Sequence, residues 1–229
     1  MYRKSLFVLL LSAVAFKSSA QVREIVTIAG SSNVGGFGGD GGKADSCLFD
    51  GPNDVAADLY GNVYVEDYFN FRVRKVNSIG YISTFAGTGY ASYSGDGGMA
   101  PAADMKPNGV TTDRRGNVYI SDNSFNVVRK VNAVSNIITL YAGWPNHTGA
   151  TGDSGLAANV ATLAGPRGMC MDSKSNLYIA DVNNHVIRKV DSFGYIYKFA
   201  GNYGCPFFAG DHGYAVNACL DSPMAVAAD

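Results

Sequence analysis

Polar and apolar residues alternate along short stretches of this chain, and the same stretches return at regular intervals. In Asn62 to Glu66, Val63 and Val65 alternate with Asn62, Tyr64 and Glu66, and Phe71 to Val76 alternates again. This two-residue period predicts half-buried β-strands. Before them lies a strand of small residues, Asn53 to Asp58, and after them Ile82 to Ala86 closes the unit before a glycine-rich loop. No segment carries a helical stripe. The unit then recurs: Gly61-Asn-Val-Tyr-Val-Glu-Asp67 returns as Gly116-Asn-Val-Tyr-Ile-Ser-Asp122 and Ser175-Asn-Leu-Tyr-Ile-Ala-Asp181. Gly-Asp-x-Gly turns centred on Asp40, Asp96, Asp153 and Asp211 follow one another at 56, 57 and 58 residues. Four antiparallel strands at that period predict an all-β fold of β-propeller blades, with the small residues of each first strand at the crowded inner rim.

The blocks Pro52-Asn-Asp-Val-Ala-Ala-Asp58, Gly61 to Asp67, Arg72-Val-Arg-Lys-Val76, Thr84-Phe-Ala-Gly-Thr-Gly89 and Tyr93-Ser-Gly-Asp-Gly-Gly-Met-Ala100 resemble NHL repeats. They are most similar to the long variant of bacterial secreted proteins, sensor ectodomains and teneurin-like ectodomains. The resemblance implies four-stranded antiparallel NHL-like blades at about 52–87, 107–143 and 166–201, within a propeller region spanning 21–229. Residues 24–29 read as the lone outer strand of one blade, and 223–229 as the first strand of a further blade. NHL-like propellers resemble six-bladed rings, and three blades cannot close one. The expectation is a partial propeller, either part of a longer protein or one whose copies self-associate to complete a ring.

Composition adds a compartment. Residues 1–20 read as a signal peptide: Arg3 and Lys4, an apolar run from Leu6 to Phe16, then Ser18-Ser-Ala20. The run is too short for a permanent membrane helix, so no stable membrane insertion is expected. Removing Arg3, Lys4 and Lys17 leaves 18 − 3 = 15 basic against 19 acidic residues, a charge of about −4. That balance disfavours nucleic acid, which demands a basic surface. A secreted or extracytoplasmic chain permits disulfides among Cys47, Cys170, Cys205 and Cys219. Cys205 and Cys219 bracket the fourth Gly-Asp-x-Gly turn and make the favoured pair, although spacing alone leaves connectivity open. Cys170 reads as a small buried thiol. Cys47 matches Cys219 in repeat position but has no counterpart of Cys205.

Candidate chemistry divides by whether it repeats. Asp67 with Arg74, Asp122 with Arg129 and Asp181 with Arg188 sit across successive strands in every blade, so they read as hairpin staples. The turn aspartates Asp40, Asp96, Asp153 and Asp211 read as caps of their own turns. Calcium is the functional alternative, but one carboxylate per loop falls short of the six or more oxygens it needs, so no cofactor is expected. The histidines, His147, His185 and His212, occupy different places in the repeat and form no metal-ligand set. No catalytic residues emerge, although an amidating-lyase or lactonase type of propeller enzyme remains an alternative, as does a sensor ectodomain of a longer membrane protein.

Where the copies differ, binding can be specified. The loop between blades and the loop between second and third strands emerge on one side of the ring, which collects Trp144, Tyr68, Phe69, Phe125, Tyr90 and Tyr203. Aromatic rings interleaved with Asp and Asn suit a protein or glycan ligand. Phe37, Tyr93 and Phe208, each three residues before a turn aspartate, read as plugs beneath their loops. Asn146-His-Thr148 is a glycosylation sequon beside Trp144. The expectation is an exported, non-catalytic binding or scaffold module.

Overall fold

A computed structural model describes residues 25–31 and 35–229. The signal-peptide segment 1–20 lies outside the described residues, as do 21–24 and 32–34. Three four-stranded antiparallel sheets follow in chain order. The first holds β1 (Pro52–Ala57), β2 (Val63–Asp67), β3 (Arg72–Val76) and β4 (Ile82–Ala86). The second holds β5 (Pro107–Thr112), β6 (Val118–Asp122), β7 (Val127–Val131) and β8 (Ile138–Gly143). In the third are β9 (Pro166–Met171), β10 (Leu177–Asp181), β11 (Val186–Val190) and β12 (Ile196–Gly201). Each sheet is a meander, and the innermost strands β1, β5 and β9 stand side by side. These are three blades of a partial β-propeller.

The blades stack through their faces. Tyr64 shares a buried cluster with Val110 and Ile120 of the second blade and Met105 just before it, and Tyr119 shares one with Met169 and Ile179 of the third blade and Leu163 just before it. The middle blade is therefore buried on both sides, and all five residues of β6 are buried. In β2 the alternation runs opposite to its hydropathy: Tyr64 and Glu66 are buried, whereas Val63 and Val65 are half-buried. The side facing the second blade decides this, because only that face of the first blade is covered by another blade.

The two terminal strands expected from the repeat are not formed as strands. Residues 25–31 carry no ladder, and Ile25, Val26 and Ile28 are exposed. Residues 223–229 lie extended beside β9, with the Gly168 amide donating to the Met224 carbonyl at 3.1 Å, but they pair with no further strand. A strand is defined by its ladder partners, and those of these segments are absent from the described residues. No described helix is long and apolar enough to cross a membrane.

Candidate functional site

The glycine-rich loops and the loops between second and third strands share a face, and its geometry begins with the arginines. Arg74, Arg129 and Arg188 are fully buried. Each reaches back into the loop preceding its own blade. Arg74 binds Asp40 at 2.5 Å and donates to the carbonyls of Gly38 and Leu48 at 3.1 and 3.3 Å. Arg129 binds Asp96 through Nη2 at 2.7 Å and Nε at 2.9 Å, and donates to Ser94 and Asp104. Arg188 binds Asp153 at 2.9 Å and donates to Thr151 and Thr162.

The two sets read separately in the sequence are thus one device, an aspartate on a loop and an arginine on the next blade. The turn aspartates do not cap their own turns as expected. The turns close through backbone bonds, such as the Gly42 amide to Gly39 at 3.0 Å, which frees the carboxylate for the guanidinium. For Asp40, burial would raise the pKa. Hydrogen bonds from Thr84 and Arg74 outweigh it and hold the carboxyl below its usual range. Across all four turns the third position is left-handed, at Gly41, Gly97, Ser154 and His212.

The hairpin pairs survive in two blades of three. Arg74 lies 3.3 Å from Asp67 and Arg188 3.5 Å from Asp181. Arg129 makes no ion pair with Asp122, because it turns Nε toward Asp96, a nitrogen left unpartnered in Arg74 and Arg188. The three strand-end aspartates instead share another task. Asp67 accepts from the Asp50 amide at 2.7 Å, Asp122 from Lys106 at 2.9 Å and Asp181 from Ala164 at 2.7 Å, so each pins the chain entering its blade. Burial pushes the Asp122 carboxyl up to about 7 and that of Asp181 up to about 6, against the pull of these donors.

Aromatic rings cover the guanidiniums. Arg74 lies over Phe37, Arg129 over Tyr93 and Arg188 over Tyr203, at 4.7, 5.0 and 5.8 Å from the ring centroids. Phe37 and Tyr93 are therefore lids on arginines rather than plugs beneath their loops. Phe208 has no arginine beneath it among the described residues and is 78% exposed. Tyr203 is committed as well, its hydroxyl donating to Asp153 at 2.8 Å.

The remaining candidates fall into separate patches. Tyr68 and Phe69 meet edge to face at 4.9 Å, with Lys106 over Tyr68. Phe69 also lies against Gly51, where any Cβ would come within 2.6 Å of its ring. Trp144 stacks on His147 at 4.4 Å within a tight turn, and is half exposed. The Asn146 amide of that turn donates to the carbonyl of Phe125, whose ring faces Tyr93. Tyr90 stands exposed by itself. No ring contact joins the Tyr68 and Trp144 patches among the described residues.

Cys205 and Cys219 form a disulfide, and Cys47 and Cys170 are free. Cys47 is fully buried, and its repeat position needs correcting. A Cβ on Gly39 would strike the Cα of Cys47 as one on Gly95, Gly152 or Gly210 would strike Ala103, Ala161 or Ala218, so Cys47 corresponds to Ala218. Cys219 is one residue further on and corresponds to Leu48.

The opposite face carries a constellation that sequence reading passed over. Asp58 accepts from the Tyr60 and Asn62 amides, from Asn62 Nδ2 at 2.7 Å and from the Tyr64 hydroxyl at 3.1 Å. Asp113 and Asp172 repeat the arrangement with Asn117, Tyr119, Asn176 and Tyr178. The constant spacing of Asp, Asn and Tyr in all three copies was the available signal. A polar cleft of about 500 Å³ opens there between the second and third blades, lined by Arg115, Tyr119, Lys130, Tyr141 and Lys174. No group of three or more His, Cys, Asp or Glu side chains converges among the described residues.

No protein-family model matches the chain. It is 30% identical over 220 residues to mouse Teneurin-4, a match covering 83% of this chain and 8% of that protein. The chain therefore spans a small part of the curated relatives it matches. Among solved structures, a protein of unknown function from Bacteroides thetaiotaomicron superposes with a TM-score of 0.57 at 21% identity, covering 76% of this chain and 41% of that one. An auxiliary nutrient binding protein from Bacteroides ovatus superposes with a TM-score of 0.53 at 16% identity, covering 79% and 44%. At these identities the solved structures speak to the propeller fold alone.

Proposed function

We propose that this chain is an exported, non-catalytic binding module, three blades of a six-bladed ring, that recognises a protein or glycan through its aromatic loop tips. The observation that carries this reading is Trp144. It appears in one copy of the repeat only, stacks on His147 in a tight turn, and remains half exposed beside Phe125. An exposed indole held rigid by its own turn offers a large contact surface at little entropic cost. Tyr68 and Phe69 offer a second such surface on the same face. The resemblance of the sequence to teneurins supports recognition outside the cytoplasm.

The reading is tested on arrays of glycans and of extracellular proteins. A chain carrying Trp144→Ala, Tyr68→Ala and Phe69→Ala is expected to lose at least ten-fold in capture of whatever the parent retains, with an unchanged melting midpoint. Capture that survives the triple substitution overturns the loop face as the recognition surface.

A further inference from the structure

On the face opposite the glycine-rich loops, each junction between neighbouring blades leaves a cleft, and the two clefts are copies of one another that differ in one direction. The first, of about 260 Å³, lies between the first and second blades, and the second, of about 500 Å³, between the second and third. The repeat sets the same parts in both. Asp58, Asn62, Tyr64 and Lys75 in the first correspond to Asp113, Asn117, Tyr119 and Lys130 in the second. The aspartate, asparagine and tyrosine build the turn in every blade, so any ligand must be specified by the positions that change.

Those positions open the second cleft and make it polar. In the first, the Tyr60 ring lies so close over Gly116 that a Cβ there would come within 3.1 Å of it. In the second, Arg115 stands in the place of Tyr60 and Ser175 in that of Gly116, so no ring fills the space. Two more groups that cannot hydrogen-bond give way to hydroxyls, Phe85 to Tyr141 and Ala133 to Ser192. Tyr141 meets Tyr119 edge to face at 4.8 Å as Phe85 meets Tyr64, so its hydroxyl adds nothing to the packing, and it has no hydrogen-bond partner among the described residues. At the lip Val134 is replaced by Phe193, which is 83% exposed. Arg115, Lys130 and Lys174 all line this cleft, and none of them enters an ion pair among the described residues. The nearby carboxylates are engaged in their own turns: Asp113 accepts from the Arg115 and Asn117 amides and the Tyr119 hydroxyl, and Asp191 from the Phe193 and Tyr195 amides.

We infer that the cleft between the second and third blades is a binding site for a sugar acid, a hexuronate unit with its carboxylate on Arg115, Lys130 and Lys174 and its ring hydroxyls on Tyr141, Ser175 and Ser192. The planar guanidinium of Arg115 matches a carboxylate with two parallel hydrogen bonds, and the ammonium groups add charge around it. A bare sulfate or phosphate satisfies the cations but is too small for a cleft of this size, which suits an organic ligand, and leaves the hydroxyls unused. Phe193 at the lip covers the apolar C–H face of the sugar ring. The site shares no residue with the loop face and lies on the other side of the blades, so it stands or falls independently of recognition through Trp144, Tyr68 and Phe69.

The experiment titrates the full chain with galacturonate and glucuronate, with galactose and sulfate as the neutral sugar and the bare anion, and follows binding by NMR. At least one uronate is expected to saturate, with galactose and sulfate each about ten-fold weaker or more. The first cleft supplies mild substitutions, since Tyr141→Phe and Ser192→Ala install the residues it already carries. Together they are expected to weaken uronate binding about ten-fold with an unchanged melting midpoint, and Lys174→Gln, at an exposed position, to do the same. The triple substitution at Trp144, Tyr68 and Phe69 is expected to leave uronate affinity as it was. Trigalacturonate identifies the source: binding well above that of galacturonate assigns the unit to a polymer, equal binding to the free acid, and either supports the site. Failure of both uronates to saturate by about 50 mM overturns the inference. So does sulfate that binds as tightly as they do, or uronate binding that survives Lys174→Gln and the Tyr141→Phe, Ser192→Ala pair alike.

Discussion

The two faces of the blade array are held together on different length scales. On the loop face each tie runs between elements, from Asp40 to Arg74, Asp96 to Arg129 and Asp153 to Arg188, across 34, 33 and 35 residues. On the opposite face each tie stays within one strand pair, from Asp58 to Asn62 and Tyr64, across 4 and 6 residues. The first kind locks a loop to the blade that follows it, and the second shapes a turn inside a blade. The loop-face latch is also fully buried at its arginine, so its loss exposes the cost of an unpartnered charge, whereas the turn aspartates of the other face sit near solvent.

The sharpest way to break this contrast is Arg129→Ala. The substitution strands Asp96 and the carbonyls of Ser94 and Asp104 and leaves a cavity between loop and blade, for an expected loss of about 3–5 kcal/mol in denaturant unfolding. A loss no larger than that of a surface arginine would remove the distinction between the faces.

A second variant probes a buried carboxylate near the latches that has no arginine. Glu66 is fully buried, neither oxygen has a partner of good geometry, and burial pushes its pKa up to about 8 from 4.5, helped by Asp54 and Asp67. Because the folded pKa is the raised one, the proton is held more tightly in the folded chain. Its stabilising contribution is complete below about pH 4.5, falls as pH rises and is gone above about pH 8. The expected loss across that window is about 2–4 kcal/mol. Glu66→Gln is expected to flatten the dependence, and parallel pH profiles for the two proteins would contradict the assignment. The same register holds Ser121 and Ala180 in the other blades, so the effect belongs to the first junction alone.

The smallest effect is expected at the opposite face. Asp113→Ala removes acceptors for the Arg115 and Asn117 amides and for the Tyr119 hydroxyl. The expected cost is about 1–2 kcal/mol, with a local increase in hydrogen exchange between Asp113 and Asn117. Protection lost instead at the loop 87–106 would show that the two faces are coupled rather than independent.

The strands were legible because they are written locally. Ile82–Ala86 matches its expected span residue for residue, and the neighbouring strands differ by one residue at their ends. The disulfide was legible as a preference, since it closes a separation of 14 residues within one loop. The site was less so. Tyr203 and Tyr68 are both loop tyrosines, yet the first is spent on Asp153 and Arg188 and the second is half-buried against Phe69. Nothing in the identity of a loop tyrosine says whether a buried arginine lies beneath it. The pairing of turn aspartates with arginines did leave a trace, because their separation stays within two residues across three copies.

By itself the sequence determined what depends on neighbours along the chain: the two-residue alternation that makes strands, the aspartate that fixes each turn after a first strand, and the period that makes every blade alike. Only the tertiary structure decided which charges meet. Arg129 had Asp122 seven residues away and chose Asp96 at thirty-three, because stacking the blade on the preceding loop brought that carboxylate and two carbonyls into reach of one planar fork. Burial, and not separation in sequence, sets the worth of such a contact, and burial exists only once the blades are stacked.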